Sequence, residues 1–529
     1  MQIEEISRAN SNCFSDMELS LSENQNKLEE FLNRTFDLAN VEAQILEKSN
    51  AFSSEQRSVL CDGLKIQYAG GLITPSVQVS INKLELPNTF TVTTGHQLSL
   101  MTGPLYFIVK ILHVIKQAEE LSLIFPSHNF VPVYWMASED HDFEEIQSIS
   151  LFNQLVTWES DAKGAVGRFP LDGLSKVKEQ IASFYQNHPD SDVFKALDSL
   201  EAPTYGQAFF KLIHWLFGDK GLVVLDGDQR LFKQSFMPFL KKEIESSFSF
   251  NAVQETTLKL EGIGIKPQVF PREINLFYLQ NNSRERIIRK NDGFQLGNNL
   301  VSKEQLLKMI EENPESFSPN VIFRPLYQEV LLPNICYVGG VGELKYWLQL
   351  KRVFEVAVIP FPMIQTRSSV LFIDAPSNLK IQNLGLDSSD FFEDKKSIIS
   401  KYLQKHEAES IDYSALNLGF ENLKNQIIEK AIEIDPQLKS SATAELVRME
   451  KSFIAAMANM DRAVKTKHDK ALKQIDQLKE KLFPKGKLQE RSLNLLQICP
   501  EGDLKNKIDV IYQAINPFSS NIKIIIETK

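Results

Sequence analysis

Residues 91–146 read TVTTGHQLSLMTGPLYFIVKILHVIKQAEELSLIFPSHNFVPVYWMASEDHDFEEI. The apolar runs Phe90–Val92 and Phe130–Met136 have the length, β-branching and aromatic content of buried strands. Between them Ile108, Ile111, Leu112, Ile115 and Ala118 recur at helical spacing. Strand, helix and strand in that order predict a βαβ unit of a parallel sheet. A polar cluster follows each strand: Thr93-Thr94-Gly95-His96-Gln97 after the first and Ser138-Glu139-Asp140-His141-Asp142 after the second. Ligands of open parallel sheets bind beyond the carboxyl ends of the strands, so both clusters are expected in a small-molecule site. Pro104, after the loop that ends at Gly103, suits a first helical position, where a missing N–H costs nothing. Lys110 on the same helix is expected in solvent, as charged side chains mostly are.

Two further runs extend the sheet. Gly221–Leu225 ends in Asp226-Gly227-Asp228, carboxylates that fit a cap or turn. Ile335–Val338 meets Gly339-Gly340-Val341-Gly342, and a helix over 343–354 follows. Glycines between a strand and a helix let backbone N–H groups approach an anion, although Glu343 in the first turn would repel one. Arg324 and Arg367 flank the turn, and arginine can clamp a carboxylate or phosphate through two parallel hydrogen bonds. Cys336 beside it fits a small buried hydrophobe better than a nucleophile.

A chain of 529 residues is too long for one simple core. With 58 basic and 68 acidic residues, a formal charge of −10, it offers no broad basic surface for nucleic acid. Four widely spaced cysteines argue against a thiolate zinc site and a disulfide framework. No apolar run of about 18 residues exists and the opening residues are acidic, so a cytoplasmic protein without a membrane partner is expected.

The texture of the chain predicts an α/β architecture: a Rossmann-like parallel-sheet core with inserted lobes and a long antiparallel coiled-coil arm. Residues 1–89 are mainly helical and pack on the core, 90–228 form its first part with an insertion, and 229–320 form an inserted lobe of helices and irregular chain. Residues 321–375 complete the core, 376–490 form the arm, and 491–529 return to the core. In the arm, Leu416, Phe420, Leu423 and Ile427 alternate steps of three and four up to Pro436, and Leu446, Met449, Phe453, Met457 and Met460 resume the pattern to Leu482. The second helix is expected to be continuous through His468 and about 60 Å long. Such an arm fits dimerisation, and its methionines fit core packing.

The strand-end clusters admit two chemistries. Asp140, His141, Asp142, Asp226 and Asp228 suit a divalent metal. Equally, they suit a polar substrate, with His141 moving protons and a carboxylate fixing its tautomer. Ser138 or Asp142 could instead only cap the next helix. The residues alone leave the metal open.

TTGHQLSLMTGPLYFIVK, PVYWMASEDHDFEEI, SPNVIFRPLYQEVLLPNICYVGGVGELKYWLQLK and LFPKGKLQERSLN together resemble the bacillithiol biosynthesis cysteine-adding enzymes, the cysteine ligases of that pathway. The resemblance covers essentially the whole chain. It implies a Rossmann-like core with inserted lobes, a homodimer formed through the coiled-coil arm, and a ligase that adds cysteine to glucosaminyl-malate to give bacillithiol. It also implies that Thr94, Gly95, His96, Gln97, Gly103, Pro104 and Glu139 to Asp142 line the main cleft, with Arg324, Asn334, Gly339, Gly340 and Gly342 on its far wall. The fold is similar to class I cysteinyl ligases, which activate cysteine as an adenylate, so ATP is an expected cofactor. Those enzymes carry an H-x-G-H signature where this chain reads Thr94-Gly95-His96-Gln97. The reaction expected is attack of the glucosamine amine on an activated cysteine carboxyl. His141 would take the proton, flanked by Asp140 and Asp142 and with His96 as a second candidate, while amides of the glycine turn would stabilise negative charge. The alternative is a non-catalytic metabolite-binding scaffold that recruits a partner through its arm. Deleting 413–482 separates the two: a scaffold loses its function outright, whereas an enzyme keeps a cleft that still binds substrate.

Overall fold

The computed structural model of the protein describes residues 1–22, 26–69, 73–280, 282–406 and 413–528. It divides into two compact units, one of Ile3–Leu371 with Gln489–Ile525 and one of Phe372–Leu488 with the chain ends.

The first unit is built on five parallel strands: β1 (Thr89–His96), β2 (Asn129–Met136), β3 (Val223–Asp226), β4 (Asn334–Gly339) and β5 (Met363–Thr366). Their order across the sheet is β5-β4-β1-β2-β3, the doubly wound arrangement in which the winding reverses between β1 and β4. Both faces are covered, which is why these strands are buried along most of their length rather than on alternate residues. On one face Val114, Ala118 and Leu121 of helix α1 (Tyr106–Ile124) pack with Phe90, Val92, Phe130, Ile335, Val338 and Met363.

β1 is longer than its apolar run. Thr93, Thr94, Gly95 and His96 belong to the strand and not to a loop after it, because the threonine hydroxyls find buried partners. Thr93 Oγ1 donates to Asn334 Oδ1 at 2.9 Å, and Thr94 Oγ1 to the Val338 carbonyl at 2.7 Å. Pairing of β1 with β2 continues to His96 opposite Met136, whereas its ladder to β4 stops at Thr93 opposite Tyr337. The two central strands therefore splay at their carboxyl ends.

The segment expected as helices and irregular chain is more regular. Helix α2 (Arg230–Ser246) and the helix Phe248–Gly262 lead into a five-stranded sheet, ordered Asn299–Val301, Gly293–Leu296, Ser283–Lys290, Leu276–Gln280 and Phe317–Pro319 with antiparallel neighbours. Its strand SRERIIRK is charged on the exposed face, which hid it from an apolar-run reading. Helix α3 (Arg324–Leu331) precedes β4 and helix α4 (Val341–Leu348) follows it. The helix expected over 343–354 breaks at Gln349, and a separate helix spans Lys351–Ala357. Residues 489–525 carry Asn494, whose Nδ2 donates to the carbonyls of Met101 and Gly103 at 2.8 and 2.6 Å.

The second unit holds the arm. Helices α5 (Ser414–Ile434) and α6 (Leu438–Lys467) are joined at Pro436, with the rings of Phe420 and Phe453 stacked at 4.4 Å. The second helix is not continuous. It stops at His468, whose φ of −101° and ψ of 10° leave the helical basin, and α7 (Asp469–Leu482) begins there. Tyr402 Oη lies 3.1 Å from His468 Nδ1, a side contact that the heptad pattern does not encode. α6 is thus about 45 Å long at 1.5 Å per residue. No described residue of α5 is buried, and Leu418, Ile434, Ile454 and Met460 are exposed. Among the described residues, no helix is long and apolar enough to cross a membrane.

Candidate active site

The splay between β1 and β4 opens a cleft of about 310 Å³ at the switch point, where ligands of this fold class sit. Gly95, His96, Gln97, Asp140 and Arg324 line it together with Tyr106, Tyr337, Glu343 and Tyr346. A chamber of about 460 Å³ shares Tyr106, Glu343 and Tyr346 with the cleft and is bordered by Gly339, Gly340, Gly342, Arg8, Arg367 and Arg491. On the other side a chamber of about 330 Å³ shares Asp140 and Arg324 and adds His141, Asp142 and Arg284.

Lys110 is not in solvent: its side chain is fully buried, and Nζ donates to the Gly95 carbonyl at 2.7 Å and to both oxygens of Glu343 at 2.7 and 2.9 Å. Tyr337 Oη donates to the same carboxylate at 2.7 Å. The end of β1 is thereby tied to the start of α4. Glu343 is neutralised where the sequence suggested repulsion of an anion, and burial lowers the pKa of Lys110 against the pull of its partner.

Asp140 is the other acidic residue of the cleft, beside Glu343. Its Oδ1 accepts from the His141 backbone at 2.8 Å and its Oδ2 lies 3.4 Å from Arg324 Nη2. Burial would raise its pKa, but the His141 hydrogen bond and the charges of Arg324 and Arg284 outweigh that and hold it well below the usual carboxylate range. His141 stands outside the cleft, in the side chamber. Its Nδ1 lies 2.9 Å from Arg284 Nη1, and a guanidinium only donates, so Nδ1 accepts and the neutral ring carries its proton on Nε2. In this arrangement Nδ1 is occupied by Arg284.

His96 lines the cleft as an uncharged ring. Burial, with Lys110 and Arg367 nearby, lowers its pKa well below the ordinary value, and its rim lies against Tyr106 and Phe107 at 5.5 and 5.0 Å between centroids. Its buried Nε2 has no hydrogen-bond partner, leaving one polar atom for a ligand.

Several expected site residues serve the scaffold. Thr94 is spent on Val338, and Asn334 donates to Glu329 Oε1 at 2.7 Å within a buried network. Glu139 forms a buried ion pair with Lys233 of α2, whose Nζ also donates to the Phe317 carbonyl at 2.7 Å. Gly103 has a φ of 61° and is held by Asn494, and neither it nor Pro104 lines the cleft; α1 starts only at Tyr106. Ser138 does not cap a helix but donates to Asp226, while Asp142 stands at the start of Phe143–Ile146 with no side-chain cap bond. Cys336 is fully buried.

The ligand atoms of Asp140, His141 and Asp142 lie within 4.8 Å of one another. Arg284 and Arg324 already occupy that set, and two guanidinium groups oppose a cation, so these residues do not fit a metal. Asp228 is engaged with Arg168 in two hydrogen bonds of 2.7 Å, and Asp226 accepts from the Asp228 N–H at 2.9 Å, closing a turn.

Burial and Asp228 push the pKa of Asp226 up to about 7, against its hydrogen bond from Ser138. A carboxyl raised in the fold keeps a proton that the unfolded chain has released. Its contribution to stability therefore falls as pH rises from about 4 to about 7. Asp226→Asn retains the accepting oxygen and is expected to raise stability at pH 8 by about 1–2 kcal/mol, with little effect near pH 4. Urea denaturation at the two pH values checks this; an equal change at both would refute it.

Arg8, Arg284, Arg491 and the aromatic wall carry no motif signal and are assembled by the fold. Gln349 is likewise unannounced. Fully buried, it accepts from the N–H groups of Gln268 and Val269 at 2.8 and 3.0 Å and donates to the Val269 carbonyl at 3.0 Å, seating the loop that borders both chambers.

Two family models match the chain: "Bacillithiol biosynthesis BshC, N-terminal Rossmann-like domain" over residues 1–368 and "Bacillithiol biosynthesis BshC, C-terminal coiled-coil domain" over residues 370–527. A relative from Flavobacterium johnsoniae, named "Putative cysteine ligase BshC", is 37% identical over 525 residues, 98% of this chain and 99% of the relative. Relatives of the same name from Flavobacterium psychrophilum and Christiangramia forsetii are 36% and 34% identical, each over 98% of both chains. The doubly wound core, the helical arm and these end-to-end matches agree: the chain belongs to the BshC family of bacillithiol biosynthesis.

Proposed function

We propose that this protein is the ligase that joins the carboxyl of cysteine to the amine of glucosaminyl-malate, forming the amide bond of bacillithiol. The observation that carries the reading is the adjacency of the cleft and the basic chamber, which share Tyr106, Glu343 and Tyr346. The cleft offers Asp140 to an amine, and the chamber offers guanidinium groups to the carboxylates of the substrates. Arg324 and Arg284 keep Asp140 ionised, so it holds an ammonium or hydroxyl group in place and acts as an anchor rather than a proton acceptor. His141 orients Asp140 through its backbone N–H. The phosphates of ATP fit the counter-charges of the same chamber; when bound, ATP supplies the group that activates a carboxyl.

The test is purified protein with cysteine and glucosaminyl-malate, with and without ATP and magnesium, read by mass spectrometry. Bacillithiol is expected only with ATP, accompanied by AMP if an adenylate forms and by ADP if an acyl phosphate does. Bound substrates that yield no product under every condition would overturn the assignment.

The partner proposed for the arm is a second copy of this chain, because α5 leaves an apolar stripe uncovered. Ile434→Glu, at a position 71% exposed on the face it shares with Leu416 and Leu423, is expected to shift the sedimentation coefficient from dimer to monomer with the helix content kept. An unchanged coefficient would reject this partner.

A further inference from the structure

The chamber beside the cleft contains a charge imbalance. Arg367 lies 2.7 Å from Glu490, Arg491 2.9 Å from Glu18 and Lys110 2.7 Å from Glu343. Arg8 is 4% exposed, yet no described carboxylate lies within ion-pairing distance of it. Its guanidinium donates only to neutral oxygens, Thr366 Oγ1 at 2.9 Å and the Arg367 carbonyl, while its buried Nε has no partner. An uncompensated buried charge is costly, by several kcal/mol in the general case. Burial and the neighbouring Arg367 lower the pKa of Arg8 only to about 10, against the more distant pull of Glu490 and Glu18, which are themselves bonded to Arg367 and Arg491, so it stays charged at neutral pH.

Opposite these arginines lies the turn Gly339-Gly340-Val341-Gly342. The first intrahelical N–H bond of α4 is made by Leu344 to Gly340, so the N–H groups of Val341, Gly342 and Glu343 precede it and are available to an acceptor. A Cβ at Gly342 would meet nothing within 4 Å.

We infer that this chamber is an oxyanion-binding subsite in which Arg8 supplies the unpaired charge and the glycine turn supplies N–H donors, and that it takes a small dianion. The proposed acceptor carries one, the dicarboxylate of its malate group; the phosphates of a nucleotide are the other source with that chemistry. Malate in this chamber would place the glucosamine toward the shared wall of Tyr106, Glu343 and Tyr346 and its amine toward the cleft. The subsite stands on the geometry alone, and only its assignment to malate rests on the proposed ligase activity.

Titration calorimetry of the full chain with L-malate and separately with pyrophosphate tests it without turnover. Arg8→Met is expected to weaken binding at least tenfold. Because Arg8 also braces Thr366, a second variant guards against misfolding: Gly342→Asp puts a carboxylate into open space and is expected to abolish binding with an unchanged melting temperature. Malate binding lost in both variants supports the subsite with the acceptor as source, and pyrophosphate binding lost in both supports it with the nucleotide as source. Binding of neither probe to the unaltered protein, or binding that both variants retain, overturns it. Malate bound in the chamber by a protein that makes no bacillithiol would sink the ligase reading and leave the subsite standing.

Discussion

Asp140→Ala is expected to lower kcat/KM by about 10² to 10³, whereas His141→Ala costs less than tenfold. The asymmetry follows from where the two side chains stand. Asp140 reaches the cleft and separates Arg324 from Arg284, two guanidinium groups that repel each other, as the lowered pKa of Arg284, about 10, records alongside its burial. Without the carboxylate the pair drifts apart, and displacement of a positioning group by about 1 Å is enough for a loss near 10². His141 faces the side chamber with its Nδ1 occupied. Asp140→Asn keeps the shape and removes the charge, so a comparable loss in that variant assigns the effect to electrostatics rather than to collapse. Steady-state rates of bacillithiol formation decide the matter, and a His141→Ala defect larger than that of Asp140→Ala would reverse the assignment.

Lys48→Met is expected to cost about 3–5 kcal/mol of stability near neutral pH, because it strands a buried carboxylate. Lys48 and Glu329 are 1% and 0% exposed and lie 3.0 Å apart. Glu329 also accepts from Asn334 and Gln328 at 2.7 and 3.0 Å, and Asn334 in turn accepts from Thr93, so the pair joins the helix Leu38–Ala51 to both central strands. Burial raises the pKa of Glu329 even with Lys48 present, and without the lysine that rise grows. Protonation then relieves the defect, so the loss shrinks as pH falls toward the ordinary carboxylate range and is greatest above it. Glu329→Gln added to Lys48→Met removes the stranded charge and is expected to recover most of the stability. Urea denaturation of the three proteins checks this; a single variant within 1 kcal/mol of the parent, or a double variant no better than the single, contradicts it.

The sheet was legible because strands covered on both faces write themselves as apolar runs, and β1, β2, β3 and β4 all coincide with such runs. The strand end at Thr93–His96 was not, since threonine hydroxyls bonded across to Asn334 and Val338 leave no mark in hydropathy. In the same way, Lys110 and Glu343 look solvent-exposed one at a time and are explicable only as a pair 233 residues apart in sequence. Of the site, the residues at the strand ends were accessible to reasoning from position, and Gly95, His96, Gln97 and Asp140 do converge, joined by Arg324 from the start of α3. Glu139 and Thr94 share that address but are turned to Lys233 and to the Val338 carbonyl, and Asn334 stands at the opposite, amino end of β4. Arg8 comes from the far end of the chain, and nothing local distinguishes it from a surface arginine.

The loop at Gln268 and Val269 is seated by one side-chain amide where a neighbouring strand would have supplied a ladder. A ladder yields rung by rung, so its opening is graded; an attachment at a single glutamine is either made or lost. The rim of the arginine chamber therefore hangs on a residue that lines neither chamber.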